Sequence, residues 1–226
     1  MIKGIFFDAA GVLYRRSAPT ENYALNLLKQ GGFSTEPSSE DLARQMALRS
    51  QASQGQVSHE IYWDQFLQMR GVTKPEQRKT LVGQIMDYSN DVLPVPGARE
   101  ALAGLKQRGF VLGIVTDTMY PIEWKMRRLK KAGVAEFIDV IACSTVLGVH
   151  KPDPAMYLDA LRQAHLTPGE SAFVGHVAVE LEGAQRAGMK TVAVNYDPDA
   201  KADYYCQSLV DLLTVPIFQE KGERRK

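Results

Sequence analysis

The sequence predicts an α/β protein, a doubly wound parallel sheet interrupted near its start by an inserted all-helical segment. Three observations carry that expectation. Ile2, Ile5, Phe6 and Phe7 make the opening segment mostly apolar, as in a strand covered on both faces. Between residues 18 and 90 apolar positions recur at helical spacing, with no convincing strand. Beyond Pro94 and Pro96 the pattern becomes a regular alternation of strand and helix. Such alternation with short turns implies parallel strands joined by right-handed helical crossovers.

Taken in order, the first strand stops at Asp8, and the small residues Ala9, Ala10 and Gly11 permit a tight turn. In the insertion, Ser38 and Asp41 form an N-terminal capping signal before Leu42, Met46 and Arg49. Tyr62, Phe66 and Met69 mark a further helix. Thr73 and Glu76 suggest a second cap, leading into Leu81, Ile85 and Tyr88. Gly31, Gly32, Gly55 and Gly71 divide the stretch into about four helices. Pro94 and Pro96 then mark a boundary, since neither can continue a helix interior. A helix through Ala98, Leu102 and Leu105 precedes a strand at 110–115. A helix through Ile122, Met126 and Leu129 precedes a strand at 138–142. Asp153-Pro154 opens the next helix, with an N-cap and proline at the first helical position. Strands at 171–174 and 191–194 flank a helix at 179–187. The expected organisation is a core of 1–14 and 94–226, with an inserted bundle at 15–93.

Composition narrows the class. The 226 residues suffice for one domain with a smaller insertion, and 27 basic against 26 acidic residues leave a net charge of +1. That balance argues against nucleic acid or an anionic membrane as partner. Residues 221–226 read as a solvated tail. Cys143 and Cys206 lack metal-like or redox-like spacing and are expected as free thiols. The apolar start is too short for a signal-peptide core, and no run approaches the roughly 18 apolar residues of a membrane span. A cytoplasmic protein is expected. The oligomeric state is not legible.

In parallel α/β sheets the ligand crevice lies beyond the carboxyl ends of the strands. Asp8, Thr116, Lys151 and the Gly175-His176 pair fall at such places. A carboxylate, a hydroxyl, an ammonium and a helix N-terminus suit an oxyanionic substrate: Lys151 and backbone N–H groups neutralise it, Thr116 donates to it and Asp8 attacks it.

These residues carry a resemblance. Asp8 with Gly11-Val12-Leu13, then Ile114-Val115-Thr116-Asp117, then Lys151-Pro152-Asp153-Pro154, and last Phe173-Val174-Gly175 with Gly183-Ala184 resemble the four motifs of the haloacid dehalogenase superfamily. The resemblance covers 1–14 and about 94–215, and it implies a Rossmann-like core with an α-helical cap at 15–93. It implies that Asp8 is the nucleophile of a covalent aspartyl intermediate, and that Thr116 and Lys151 hold the oxygens of the transferring group. The cap would close over the site and exclude water. Ala10, Asp117 and His176 are then expected to line the substrate.

Two positions depart from the family's phosphatases. The general acid/base two residues after the nucleophile is replaced by Ala10, which has no proton to exchange. The Asp of the fourth motif, which helps to hold Mg²⁺, is replaced by His176, a poor ligand for a hard cation. Two arrangements stay open. A rearranged Mg²⁺ site would use Asp8 and Glu180, together with the Ala10 carbonyl. Alternatively His176, favoured as imidazolium by Glu180 four residues on, would replace the metal's charge. The metal-free dehalogenases of the family fit His176 and the third motif with Tyr157. However, they carry Ser and Asn where this chain has Gly175 and Val177, and Arg44 and Arg49 are the candidates for their cap arginine. A phosphonate-cleaving type shares the Asp-x-Ala-Gly opening but needs a cap lysine, and Arg49 in the comparable stretch cannot form its Schiff base.

The expected function is hydrolysis by Asp8 of a small anionic substrate, a phosphate ester, acyl phosphate or haloacid-type molecule. The contrasting expectation is a catalytically inactive binding or regulatory protein that retains the pocket. His59, His150 and His165 have no partner at metal-ligand spacing. Tyr62, Trp63 and Phe66 read as cap core, with Trp63 or Tyr62 facing the crevice as the alternative, and Cys143 as an inert small hydrophobe.

Overall fold

A computed structural model describes residues 1–219, so the basic stretch 221–226 lies outside the described residues. The strands are β1 (Gly4–Phe7), β2 (Tyr14–Arg15), β3 (Leu93–Pro94), β4 (Val111–Thr116), β5 (Val140–Cys143), β6 (Ser171–Gly175), β7 (Lys190–Val194) and β8 (Tyr204–Cys206). The insertion holds helices α1 (Thr20–Gln30), α2 (Ser39–Ser53), α3 (His59–Gln68) and α4 (Pro75–Asn90). The remainder supplies α5 (Ala98–Gln107), α6 (Ile122–Lys131), α7 (Ser144–Leu147), α8 (Pro154–Ala164) and α9 (Ala178–Arg186). The α/β class with a helical insertion is therefore observed.

The sheet runs β5-β4-β1-β6-β7-β8, with every neighbouring pair parallel. Winding proceeds from β1 through β4 to β5, then restarts on the other side of β1. This reversal places the end of β1 at the crevice where such sheets bind ligands. Phe7 pairs with Ile114 on one side and Val174 on the other, and the Asp8 N–H donates to the Val174 carbonyl at 2.9 Å. Asp8 thus leaves the sheet between the ends of β4 and β6.

Every residue of β1 is buried because both faces are covered. Ile5 and Phe7 face a cluster with Leu102, Leu105 and Leu129, while Phe6 faces Met156, Tyr157 and Leu181. Full burial of each such side chain contributes about 1.5–3 kcal/mol. The insertion has its own core of Leu28, Tyr62, Trp63, Phe66 and Ile85.

The capping signal at Ser38 is realised, its side chain accepting from the Asp41 N–H at 3.1 Å. Asp153 likewise caps α8 by accepting from the Ala155 N–H at 2.8 Å. The expected cap at Thr73 is not formed. Lys74 precedes the helix without a side-chain bond, and Pro75 starts it with a preset φ.

Two helices bury a face other than the one their apolar pattern predicts. In α2, Leu42 and Met46 are exposed while Gln45 and Ala52 turn inward. Gln45 tolerates burial because it donates to Glu21 and accepts from Arg70. In α6, Met126 is exposed, and the buried side chains of the helix are Lys125, Arg128 and Leu129. The short strands β2, β3 and β8 carry too few residues for a period-2 pattern and were not foreseen.

Candidate active site

Carboxylates from the ends of β1 and β4 and from α9 converge on one lysine. Lys151, in the loop before α8, is almost wholly buried, and its Nζ donates to Asp8 Oδ1 at 2.7 Å and to Glu180 Oε2 at 2.8 Å. Its backbone N–H donates to Asp117 Oδ1 at 3.1 Å. Burial alone would drive the ammonium towards its neutral form, but Asp8, Glu180 and Asp117 together outweigh it and hold the lysine above its ordinary pKa.

Three carboxylates around one ammonium leave negative charge in excess. Burial, reinforced by the charge on Asp8 and opposed by Lys151, pushes Glu180 up to about 7. Burial also raises Asp117, against the pull of Lys151. Near neutral pH Glu180 therefore carries a proton part of the time, which lets the Asp8–Lys151 pair stand alone. Glu180 is held from behind by Tyr157, whose hydroxyl donates to the Glu180 backbone carbonyl at 2.7 Å. Gly183 lets α9 lie close against this region, since a Cβ there would sit 2.8 Å from both Pro152 Cβ and the Tyr157 hydroxyl.

Thr116 is buried at the end of β4, and its hydroxyl reaches the Asp117 carbonyl only at 3.4 Å. Such a long contact leaves the donor weakly committed. Ala10 and Asp117 line a cavity of about 360 Å³ between the sheet edge and the insertion. Tyr62, Trp63 and Arg49 border it from the helical side, and Lys125 and Arg128 from α6.

His176 takes neither role expected of it. It precedes α9, so it is not one helical turn from Glu180, whose carboxylate is bound to Lys151 instead. Its ring lies over Gly11, where an added Cβ would be 2.4 Å from Nε2, and its Nδ1 is buried without a hydrogen-bond partner. Gly11 itself has φ +87°, a conformation that favours glycine. His176 thus props the turn carrying Ala10 and is not among the residues bordering the cavity.

The donor set does not fit a Mg²⁺ shell. Asp8 and Glu180 are both ion-paired to Lys151, and the third position supplies an imidazole stacked on Gly11. Among the described residues no three His, Cys, Asp or Glu side chains gather to hold a metal ion.

Of the two candidate arginines, Arg49 reaches the cavity, where it pairs with Glu21 at 2.8 Å. Arg44 instead donates to Gln65 in an exposed pair. Lys125 and Arg128 were missed because the apolar pattern of α6 was anchored on Met126. The spacing 125, 128, 129, 132 marks the same helical face and was the available signal. Both cysteines are free and buried, as expected. No helix among the described residues is long and apolar enough to cross a membrane.

A family model described as haloacid dehalogenase-like hydrolase matches residues 5–194. A glyceraldehyde 3-phosphate phosphatase of Methanopyrus kandleri is 28% identical over 202 residues, covering 86% of this chain and 84% of its own. An (S)-2-haloacid dehalogenase of Burkholderia cepacia is 30% identical over 120 residues, 53% of this chain and 51% of the relative. The solved L-2-haloacid dehalogenase of Xanthobacter autotrophicus, with chloropropionic acid covalently bound, shares the fold with a TM-score of 0.66 at 18% identity. That likeness covers 95% of this chain and 98% of the other.

Proposed function

The chain belongs to the haloacid dehalogenase-like hydrolases, and from that premise we propose that Asp8 is the nucleophile in hydrolysis of a small anionic substrate whose leaving group departs without a proton. The observation that carries this reading is the buried Lys151 held between Asp8 and Glu180 at 2.7 and 2.8 Å. A cation so placed orients Asp8, and it meets negative charge as that develops on the reacting group. An Asp8 oxygen forms a bond to phosphorus, or to the carbon bearing a halogen. The bond to a carboxylate or halide breaks, and the leaving group takes the electron pair. Water then cleaves the ester or acyl phosphate formed on Asp8.

Ala10 selects among substrates. With no acid beside Asp8, alkoxide leaving groups are disfavoured, while acyl phosphates and 2-haloacids need no proton donor. Relatives named as a glyceraldehyde 3-phosphate phosphatase and an (S)-2-haloacid dehalogenase support a small anionic substrate. Thr116 donates to the bound group, Asp117 and Ala10 border it, and the insertion at 15–93 acts as the cap that excludes water.

The test is turnover of acetyl phosphate, p-nitrophenyl phosphate and 2-chloropropionate, with Mg²⁺ or EDTA, by wild type and Asp8→Asn. Turnover of acetyl phosphate or 2-chloropropionate is expected, unaffected by EDTA and reduced at least about 10³-fold in D8N. The loss of both family carboxylates, at Ala10 and His176, favours the second reading, a binding protein. Absence of turnover under every condition would establish that reading instead.

A further inference from the structure

The wall of the cavity built by α6 holds cations that no acid among the described residues neutralises. Lys125 and Arg128 are each only 2% exposed. Among the described residues neither forms an ion pair: Lys125 Nζ donates to the Tyr14 hydroxyl at 2.8 Å, and Arg128 Nη2 reaches Ser89 Oγ at 3.3 Å. Arg128 Nε is buried with no partner. Arg16 borders the same cavity and adds a like charge beside Arg128. The acids bordering the cavity are committed elsewhere, Glu21 to Arg49 and Gln45, and Asp117 to the Lys151 backbone. Tyr120 and Trp124 contribute ring faces, with the guanidinium carbon 4.4 and 5.9 Å from their centroids.

Buried charges are ordinarily paired, because the low-dielectric interior cannot replace their hydration. A cavity lined by unpaired cations, one of them with a free buried donor, is complementary to an anion. The reacting group, however, belongs with Lys151 at the sheet edge. We propose that the α6 wall, through Lys125 and Arg128 with Arg16 beside them, is a subsite for a second oxyanion on the substrate, a carboxylate or a second phosphate. The proposal rests on the hydrolase reading for the identity of the first group. It narrows the substrate class from small anions to molecules anionic at both ends. The planar fork of Arg128 can take either oxyanion through two parallel hydrogen bonds.

Three probes separate the possibilities: methylphosphonate with one charged group, phosphonoacetate with a phosphonate and a carboxylate, and methylenediphosphonate with two phosphonates. Binding is read from the fluorescence of the two tryptophans, Trp63 and Trp124, and from the rise in Tm on saturation. At least one two-headed probe should bind wild type about tenfold or more tighter than methylphosphonate, about 1.4 kcal/mol. Preference for phosphonoacetate identifies a carboxylate, and preference for methylenediphosphonate a second phosphate. Lys125→Met and Arg128→Met should each reduce the preference to threefold or less. Arg128→Lys, which keeps the charge without the fork, should fall between. Unliganded R128M should melt no lower than wild type, since it removes an uncompensated charge, whereas an arginine serving only packing would lower Tm.

Equal affinity of wild type for all three probes would overturn the subsite even if R128M failed to fold. A preference that survives in both methionine variants would do the same. Absence of turnover alongside a preserved preference would reject the hydrolase reading and keep the subsite. D8N-sensitive turnover without any preference would do the reverse.

Discussion

Two neighbouring regions of this molecule are charged in opposite senses and balance that charge differently. At the sheet edge, Asp8, Glu180 and Asp117 surround the single ammonium of Lys151, an excess of negative charge. On α6, Lys125 and Arg128 are buried without an acidic partner among the described residues. The first region can relieve itself by taking up a proton, because burial raises Glu180 to about 7. The second cannot, since an arginine stays protonated throughout the accessible range. Excess negative charge is thus settled within the protein, and excess positive charge calls for a ligand.

The contrast is broken most severely at Lys151. Lys151→Met leaves Asp8 and Glu180 facing each other in a buried site with no cation between them. Loss of one partner from a buried ion pair costs about 3–5 kcal/mol, so urea denaturation should show a fall of that order, with any Asp8-dependent turnover lost. The equivalent change on the other side, R128M, is expected to cost nothing in unliganded stability. If the two variants lose equal stability, the distinction between a paired and an unpaired buried cation fails.

A smaller effect is expected where the regions meet, at the Ala10–Gly11 turn. Gly11→Ala meets an unfavourable backbone at φ +87° and a contact of 2.4 Å with His176 Nε2. Backbone and contact together should cost roughly 2–3 kcal/mol. Replacing His176 by Ala in the same chain removes the contact and leaves the backbone cost. A double-mutant cycle should therefore show favourable coupling of about 1 kcal/mol. Strict additivity would mean that the imidazole does not support this turn.

The contrast also explains what the sequence could and could not disclose. The sheet edge was legible because Asp8, Thr116 and Lys151 sit at strand ends and loop starts, where a parallel sheet delivers side chains to its crevice. The bundle of four helices was legible from its glycines and the Ser38 cap. The α6 wall was not, because Lys125 and Arg128 read as an ordinary solvated face while Met126 read as core. A helix lining a cavity for an anion inverts that assignment, and only the position of Leu129 hinted at the true face. Likewise the apolar spacing of Leu42 and Met46 points to the inner stripe of α2, a place held by Gln45 because Arg70 and Glu21 satisfy its amide. His176 misled through its spacing to Glu180, since the intervening chain is not yet helical.

Glu180 ionises at about 7 in the folded protein against 4.5 in its unperturbed state, chiefly through burial. Between those values the native state binds more protons than the unfolded chain, so unfolding free energy falls as pH rises through the window. The stabilising contribution of this group is complete below about pH 4.5 and is lost as pH passes 7. The upward shift of Asp117 acts in the same direction, while that of Lys151 bears on pH above 10.5 and leaves the window untouched. Glu180→Gln carries a permanently neutral side chain of the same shape and removes the Glu180 part of the slope. Relative to wild type, E180Q should therefore gain stability steadily from pH 5 to pH 8 in urea melts. A difference that stayed constant over that range would show that Glu180 remains ionised. The sheet edge would then have to hold its excess negative charge by other means.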